Sequence, residues 1–117
     1  LELGGKSPNL VFADCDLEAR VTASVQECMF NTGQSCDAPT RLLVERSCYD
    51  QVLAIAKRAA ENQAVGDPSQ EGDHIGPLFD KIQYDRVQAM VQTGLDEGAR
   101  LLAGGLGKPD ASTQVGL

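Results

Sequence analysis

The sequence predicts an α/β fold on a parallel sheet, with elements in the order β-α-β-α-α-β. Two observations predict it. Short runs of strand-forming apolar residues recur at 9–13, 41–45 and 99–105, each too short and too apolar to keep one face in water. Between them, apolar residues repeat at helical spacing, which supplies the crossovers a parallel sheet needs and the helices that cover its faces.

Each element has a local cause. NLVFA, behind Pro8, reads as the first strand. Asp14 and Asp16 offer N-caps for a helix on which Leu17, Val21, Val25 and Cys28 share one face, and the helix should stop near residues 31–33, where the apolar rhythm meets Gly33. RLLVE is the second strand. Ser47 is placed to cap the next helix, whose apolar positions are Val52, Ile55, Ala56 and Ala59. GDPSQEGD, residues 66–73, is a turn-rich break. Residues 80–97 read as a third helix with Ile82, Val87, Met90 and Val91 on its apolar side and Gly98 to end it, and ARLLAGG follows as a last strand.

Composition narrows the function. Ten Lys and Arg against seventeen Asp and Glu give a net charge of −7, with the basic residues scattered among acids, so neither nucleic acid nor an anionic membrane is expected as a partner. No apolar run approaches the roughly 18 residues of a membrane span, and no signal peptide is visible. Cys15, Cys28, Cys36 and Cys48 contain no C-x-x-C pair, and His74 is the only histidine, so no metal site is expected. Reduced thiols in a cytoplasmic setting fit this cysteine usage. Neither GxGxxG nor a P-loop pattern is present. The chain starts at Leu1 without Met and ends on an apolar stretch, and it is expected to be a piece of a longer polypeptide.

Cys36 stands apart from the other cysteines. Cys28 continues a helical apolar stripe, Cys15 sits in the acidic turn ADCD and Cys48 follows Ser47, so all three read as packing residues. Cys36 lies in the polar loop FNTGQSCDAP, where packing gains little and a thiol can be accessible beside free backbone N–H groups. A thiol nucleophile usually works with a histidine, but His74 lies in EGDHIG with no motif around it and reads as exposed or as a local hydrogen bonder. Glu2, followed by Gly4 and Gly5 in LELGGKSP, is the more suggestive acid–base group, because paired glycines let backbone pass close to something bulky.

These stretches resemble a known family. LELGGKSPNLVFADCDLE and FNTGQSC, with 34 positions from Glu2 to Cys36, look like the two signatures of the NAD(P)-dependent aldehyde dehydrogenase superfamily, and the flanking TRLLVERSCYD, IGPLFD and DEGARLLAGG agree. The resemblance covers essentially all of residues 1–117. It implies one partial catalytic domain, with the dinucleotide-binding domain and the dimer-forming elements elsewhere, and a homo-oligomeric parent. It implies that Cys36 attacks an aldehyde to give a thiohemiacetal and then a thioester, with hydride transfer to NAD or NADP, and that Glu2 is the general base that activates water. The backbone N–H of Cys36 would help hold the oxyanion, and the backbone around Leu3 would lie near the nicotinamide carboxamide. Asp37 departs from the family, where the residue after the nucleophile is more often small, thiol or apolar; it points to a polar or cationic substrate or else faces a backbone amide.

Two alternatives accompany this reading. A coenzyme A-acylating relative would resolve the thioester with coenzyme A, but such relatives commonly lack the signature glutamate. A non-catalytic truncated module would associate through its sheet edges.

Overall fold

The computed structural model describes residues 3–108. The chain divides into two compact units, Leu1–Gln63 and Ala64–Leu117.

The first unit is built on two parallel strands, β1 (Pro8–Val11) and β2 (Arg41–Val44), paired Pro8 with Arg41 through Val11 with Val44. Pro8 donates nothing to the ladder and is tolerated because it opens the strand. Between them runs α1 (Leu17–Met29), whose N-cap is Asp16: its carboxylate accepts the Ala19 N–H at 3.1 Å. After β2 a short 3-10 turn (Arg46–Cys48) leads into α2 (Tyr49–Glu61). Ser47 does not cap that helix. Its hydroxyl donates to Glu45 Oε1, and Glu45 Oε2 accepts the Ala13 N–H at 2.9 Å, so one carboxylate ties the ends of both strands together.

The core lies between the sheet and the two helices. Val11, Leu17, Val21, Cys48, Val52 and Ile55 are buried together, with Leu42, Val44, Cys15 and Ala56 against them. Val21 and Val52, on α1 and α2, are 0% and 1% exposed. Closing this interface stabilises the unit far more than the Glu18–Arg58 ion pair beside it, whose side chains are more than half exposed. The strands are not buried on both faces as expected. Alternation turns Val11 and Val44 into the core and leaves Leu10 and Phe12 62% and 58% exposed on the opposite face, with Leu43 beside them.

The second unit begins with the polar break. Val65 bridges Ile75, and the intervening turn is held by Asp67, whose carboxylate accepts the Ser69 N–H at 2.8 Å. Helix α3 (Lys81–Asp96) follows, capped by Asp80 through the Gln83 N–H at 2.7 Å, and Gly98, at φ 89°, ends it. Its covered stripe is Tyr84, Val87, Val91 and Leu95. Ile82 and Met90, expected on that face, are exposed: at 100° per residue Ile82 falls on the opposite side from Tyr84. The last expected strand, 99–105, does not form among the described residues. Gly104 and Gly105 have φ of 72° and 130°, which breaks the extended backbone a ladder needs.

Candidate active site

The loop that carries Cys36 is shaped by an unusual backbone. After α1, a 3-10 turn (Phe30–Gly33) contains Asn31 at φ 49° and Thr32 at φ 60°, and Gly33 follows at 75°. Three successive left-handed residues are costly for L-amino acids. Glycine takes the conformation freely and Asn tolerates it, but a β-branched Thr does so at about 1–2 kcal/mol. A reciprocal latch holds the turn: Asn31 Nδ2 donates to the Gln34 carbonyl at 3.3 Å, and Gln34 donates its Nε2 and its backbone N–H to the Asn31 carbonyl, both at 3.1 Å. Asn31 and Gln34 are positioning residues that sequence reasoning passed over. The available signal was the N-x-G-Q pattern, an αL-tolerant residue ahead of a glycine and a long amide.

Immediately after the latch, residues 35–38 make a β-turn closed by the Ala38 N–H donating to the Ser35 carbonyl at 3.3 Å. Cys36 and Asp37 are its two central residues, and both are exposed, whereas Ala38 is buried and anchors the turn. The Cys36 N–H and the Asp37 carboxylate make no hydrogen bond with the described residues. All four cysteines carry free thiols, but their settings differ. Cys48 is buried and its Sγ donates to the Glu45 carbonyl at 3.4 Å. Burial pushes the Cys28 thiol above its ordinary value, and nearby Lys6 only partly offsets the shift.

The strand register brings the two motif segments to one end of the sheet. Pro8 pairs with Arg41, an offset of 33 (41 − 8). Glu2 and Cys36 are separated by 34 (36 − 2), almost the same interval. Because the strands are parallel, residues 3–7 and 34–40 both enter the pair at its amino end. Arg41 fastens them there: its N–H donates to the Ser7 carbonyl at 3.2 Å and its Nε to the Lys6 carbonyl at 2.7 Å. The site therefore departs from the usual preference of α/β sheets for the carboxyl ends of strands. Leu3 is exposed in irregular backbone, and Glu2 lies outside the described residues. His74 belongs to the other unit; its Nε2 donates to the Asp67 carbonyl at 2.9 Å, and its ring leaves no room for a Cβ at Gly66 or Gly72. It is a local hydrogen bonder that fills a turn.

Parallel strands, two helices on one face and an exposed thiol on a latched turn ahead of the second strand define an α/β protein with a loop-borne cysteine. Comparison with known proteins makes this specific. The model of the aldehyde dehydrogenase family matches residues 1–116, and the chain belongs to that family. It is 48% identical over 110 residues to 3-succinoylsemialdehyde-pyridine dehydrogenase of a Pseudomonas species, which covers 94% of this chain and 23% of that protein. It is 43% identical to retinal dehydrogenase 2 of Taeniopygia guttata, over 92% of this chain and 21% of that one. Among solved structures, an aldehyde dehydrogenase from Bartonella henselae aligns with a TM-score of 0.89 at 50% identity, over 93% of this chain and 23% of its own. A cysteine-to-alanine mutant of aldehyde dehydrogenase C from Pseudomonas syringae, in complex with NAD+ and octanal, aligns with a TM-score of 0.91 at 42% identity, over 97% and 23%. The chain thus spans less than a quarter of the length of these relatives. Neither the coenzyme A-acylating nor the non-catalytic alternative is favoured by these matches.

Proposed function

We propose that the protein containing this chain oxidises an aldehyde to the carboxylic acid, with NAD or NADP as hydride acceptor, through a covalent bond to Cys36. The observation that carries the reading is an exposed thiol on a latched turn, its backbone N–H unbonded among the described residues, in a chain of the aldehyde dehydrogenase family. In this reading the chain is part of one catalytic domain of a cytoplasmic homo-oligomer.

The Cys36 thiolate attacks the carbonyl carbon; the C–S bond forms as the π pair moves onto oxygen, where the Cys36 N–H can donate to it. When bound, NAD(P)+ supplies the acceptor for the hydride that leaves the aldehyde carbon, and a thioester remains on Cys36. Glu2 takes a proton from water, whose oxygen attacks the thioester carbonyl. The C–S bond then breaks, the thiolate leaves with its electron pair and the carboxylic acid departs.

The described residues fit one end of the cofactor. Backbone groups of residues 3–5 make no hydrogen bonds with the described residues, and a Cβ at Gly4 or Gly5 would meet nothing within 4 Å. Leu3 backbone can therefore take a carboxamide. With no GxGxxG or P-loop pattern here, the phosphate contacts fall to other parts of a protein of the relatives' length. In support, neighbours have been solved with NAD+, including an aldehyde dehydrogenase from Bacillus cereus and an indole-3-acetaldehyde dehydrogenase.

The test is kinetic and uses the full-length protein. Cys36→Ala is expected to abolish aldehyde oxidation. Glu2→Gln is expected to slow steady-state turnover by about 10²-fold or more while preserving a pre-steady-state burst of reduced cofactor. Wild-type turnover in Cys36→Ala would refute the reading.

A further inference from the structure

We propose that Asp37 makes the Cys36 site selective for aldehydes that carry a positive charge close to the carbonyl group; the inference rests on the reading of Cys36 given above. Cys36 and Asp37 are the adjacent central residues of one β-turn, and both side chains are exposed. Neighbouring Cα atoms are about 3.8 Å apart, which keeps the carboxylate within roughly one Debye length, ~8 Å, of the sulfur.

Several acids of this unit have structural work, although the side chains of Asp14, Glu27 and Asp50 make no hydrogen bond or ion pair with the described residues. Asp16 caps α1, Glu18 pairs with Arg58, and Glu45 accepts from Ala13 and Ser47. Asp37 has none: it forms no hydrogen bond or ion pair with the described residues, so it does not face a backbone amide of the unit. Nor does it hold the turn, which is closed by backbone and anchored by buried Ala38. A carboxylate with no partner among the described residues, one residue from the nucleophile, is placed to act on what the nucleophile receives. It attracts a cationic group on the aldehyde and repels a carboxylate, without contributing to the bond-making itself. Any effect of its charge on the Cys36 thiolate is common to all aldehydes and cancels in a ratio of substrates.

The experiment compares three matched short alkanals on the full-length protein: one ending in trimethylammonium, one in the isosteric tert-butyl group and one in carboxylate. The expected result is a kcat/KM ratio of cationic to neutral aldehyde of ~10 or more, equivalent to about 1.4 kcal/mol. Asp37→Asn should lower that ratio at least about tenfold, Asp37→Glu should retain it, and added salt should erode it in the wild type. A ratio that Asp37→Asn leaves unchanged overturns the proposal. So does a wild-type ratio that is insensitive to salt, which can be read even if the variant does not fold. Turnover that survives Cys36→Ala would overturn the Cys36 reading and this proposal with it. Turnover that depends on Cys36 without charge preference overturns the Asp37 proposal alone.

Discussion

Thr32 holds the least comfortable backbone among the described residues, a β-branched side chain at φ 60° four positions before Cys36. The Asn31–Gln34 latch keeps it there, and the turn that follows lifts Cys36 into solvent. Cys36 should therefore react ahead of Cys28 and Cys48. At pH 8 iodoacetamide is expected to modify Cys36 first. Cys48 should be slow because it is buried, and Cys28 because burial raises its pKa above the ordinary thiol value, which leaves less thiolate at this pH. Raising the pH should speed Cys28 over a range above that of an unperturbed thiol. Peptide mapping of labelled native protein reads this directly, and Cys28 reacting ahead of Cys36 would contradict the assignment. Asn31→Ala removes a latch bond and leaves φ 49° to a residue without the polar amide that makes this conformation tolerable, so it bears on this loop without touching the thiol.

At the scale of elements, Glu45 joins the ends of both strands, and its pKa is lowered, first by the Ser47 hydroxyl and then by the Ala13 N–H. A depressed carboxylate contributes stability that is present above its unfolded value, near 4.5, and lost as pH falls through the lower folded value. Between pH 7 and pH 3 the wild type should lose denaturant resistance, and Glu45→Gln should lose measurably less. Equal acid sensitivity in the two proteins would remove Glu45 from the account. The sequence made the first five elements legible because each has its own local signal: Asp16 as a cap, Gly98 as a stop, and apolar spacing through Leu17, Val21, Val52 and Ile55. What it hid depends on tertiary partners. Ser47 turned to Glu45 and left the helix uncapped, Ile82 was assigned to a face it cannot share with Tyr84, and 99–105 had strand-forming residues but no ladder. The site was half legible. Cys36 stood out by its polar loop, whereas the left-handed turn beneath it follows from the Asn31–Gln34 latch, which periodicity does not report.

For the whole molecule, the open face of the sheet in the first unit carries Leu10, Phe12 and Leu43, although parallel sheets ordinarily bury both faces. The relatives are more than four times as long as the aligned stretch, which spans 23% of the Pseudomonas dehydrogenase. Hydride transfer requires the acceptor ring held against the reacting carbon, and positioning of that kind supplies about 7–11 kcal/mol of a barrier. In the function proposed above, residues 3–108 offer the cofactor the backbone near Leu3, and a single contact of that kind cannot fix the ring. The 117-residue chain, produced alone, is therefore expected to show no NAD(P)-dependent oxidation of any aldehyde in a broad panel. Slow hydrolysis of an activated ester is compatible with the same chain, because acyl transfer needs only the thiolate, an oxyanion donor and water. Absorbance of the reduced nicotinamide, followed with both cofactors and a Cys36→Ala control, measures the first reaction, and p-nitrophenyl acetate measures the second. Cofactor reduction by the chain alone that disappears in Cys36→Ala would mean that these residues assemble a complete dinucleotide site, and the division of labour argued above would fail.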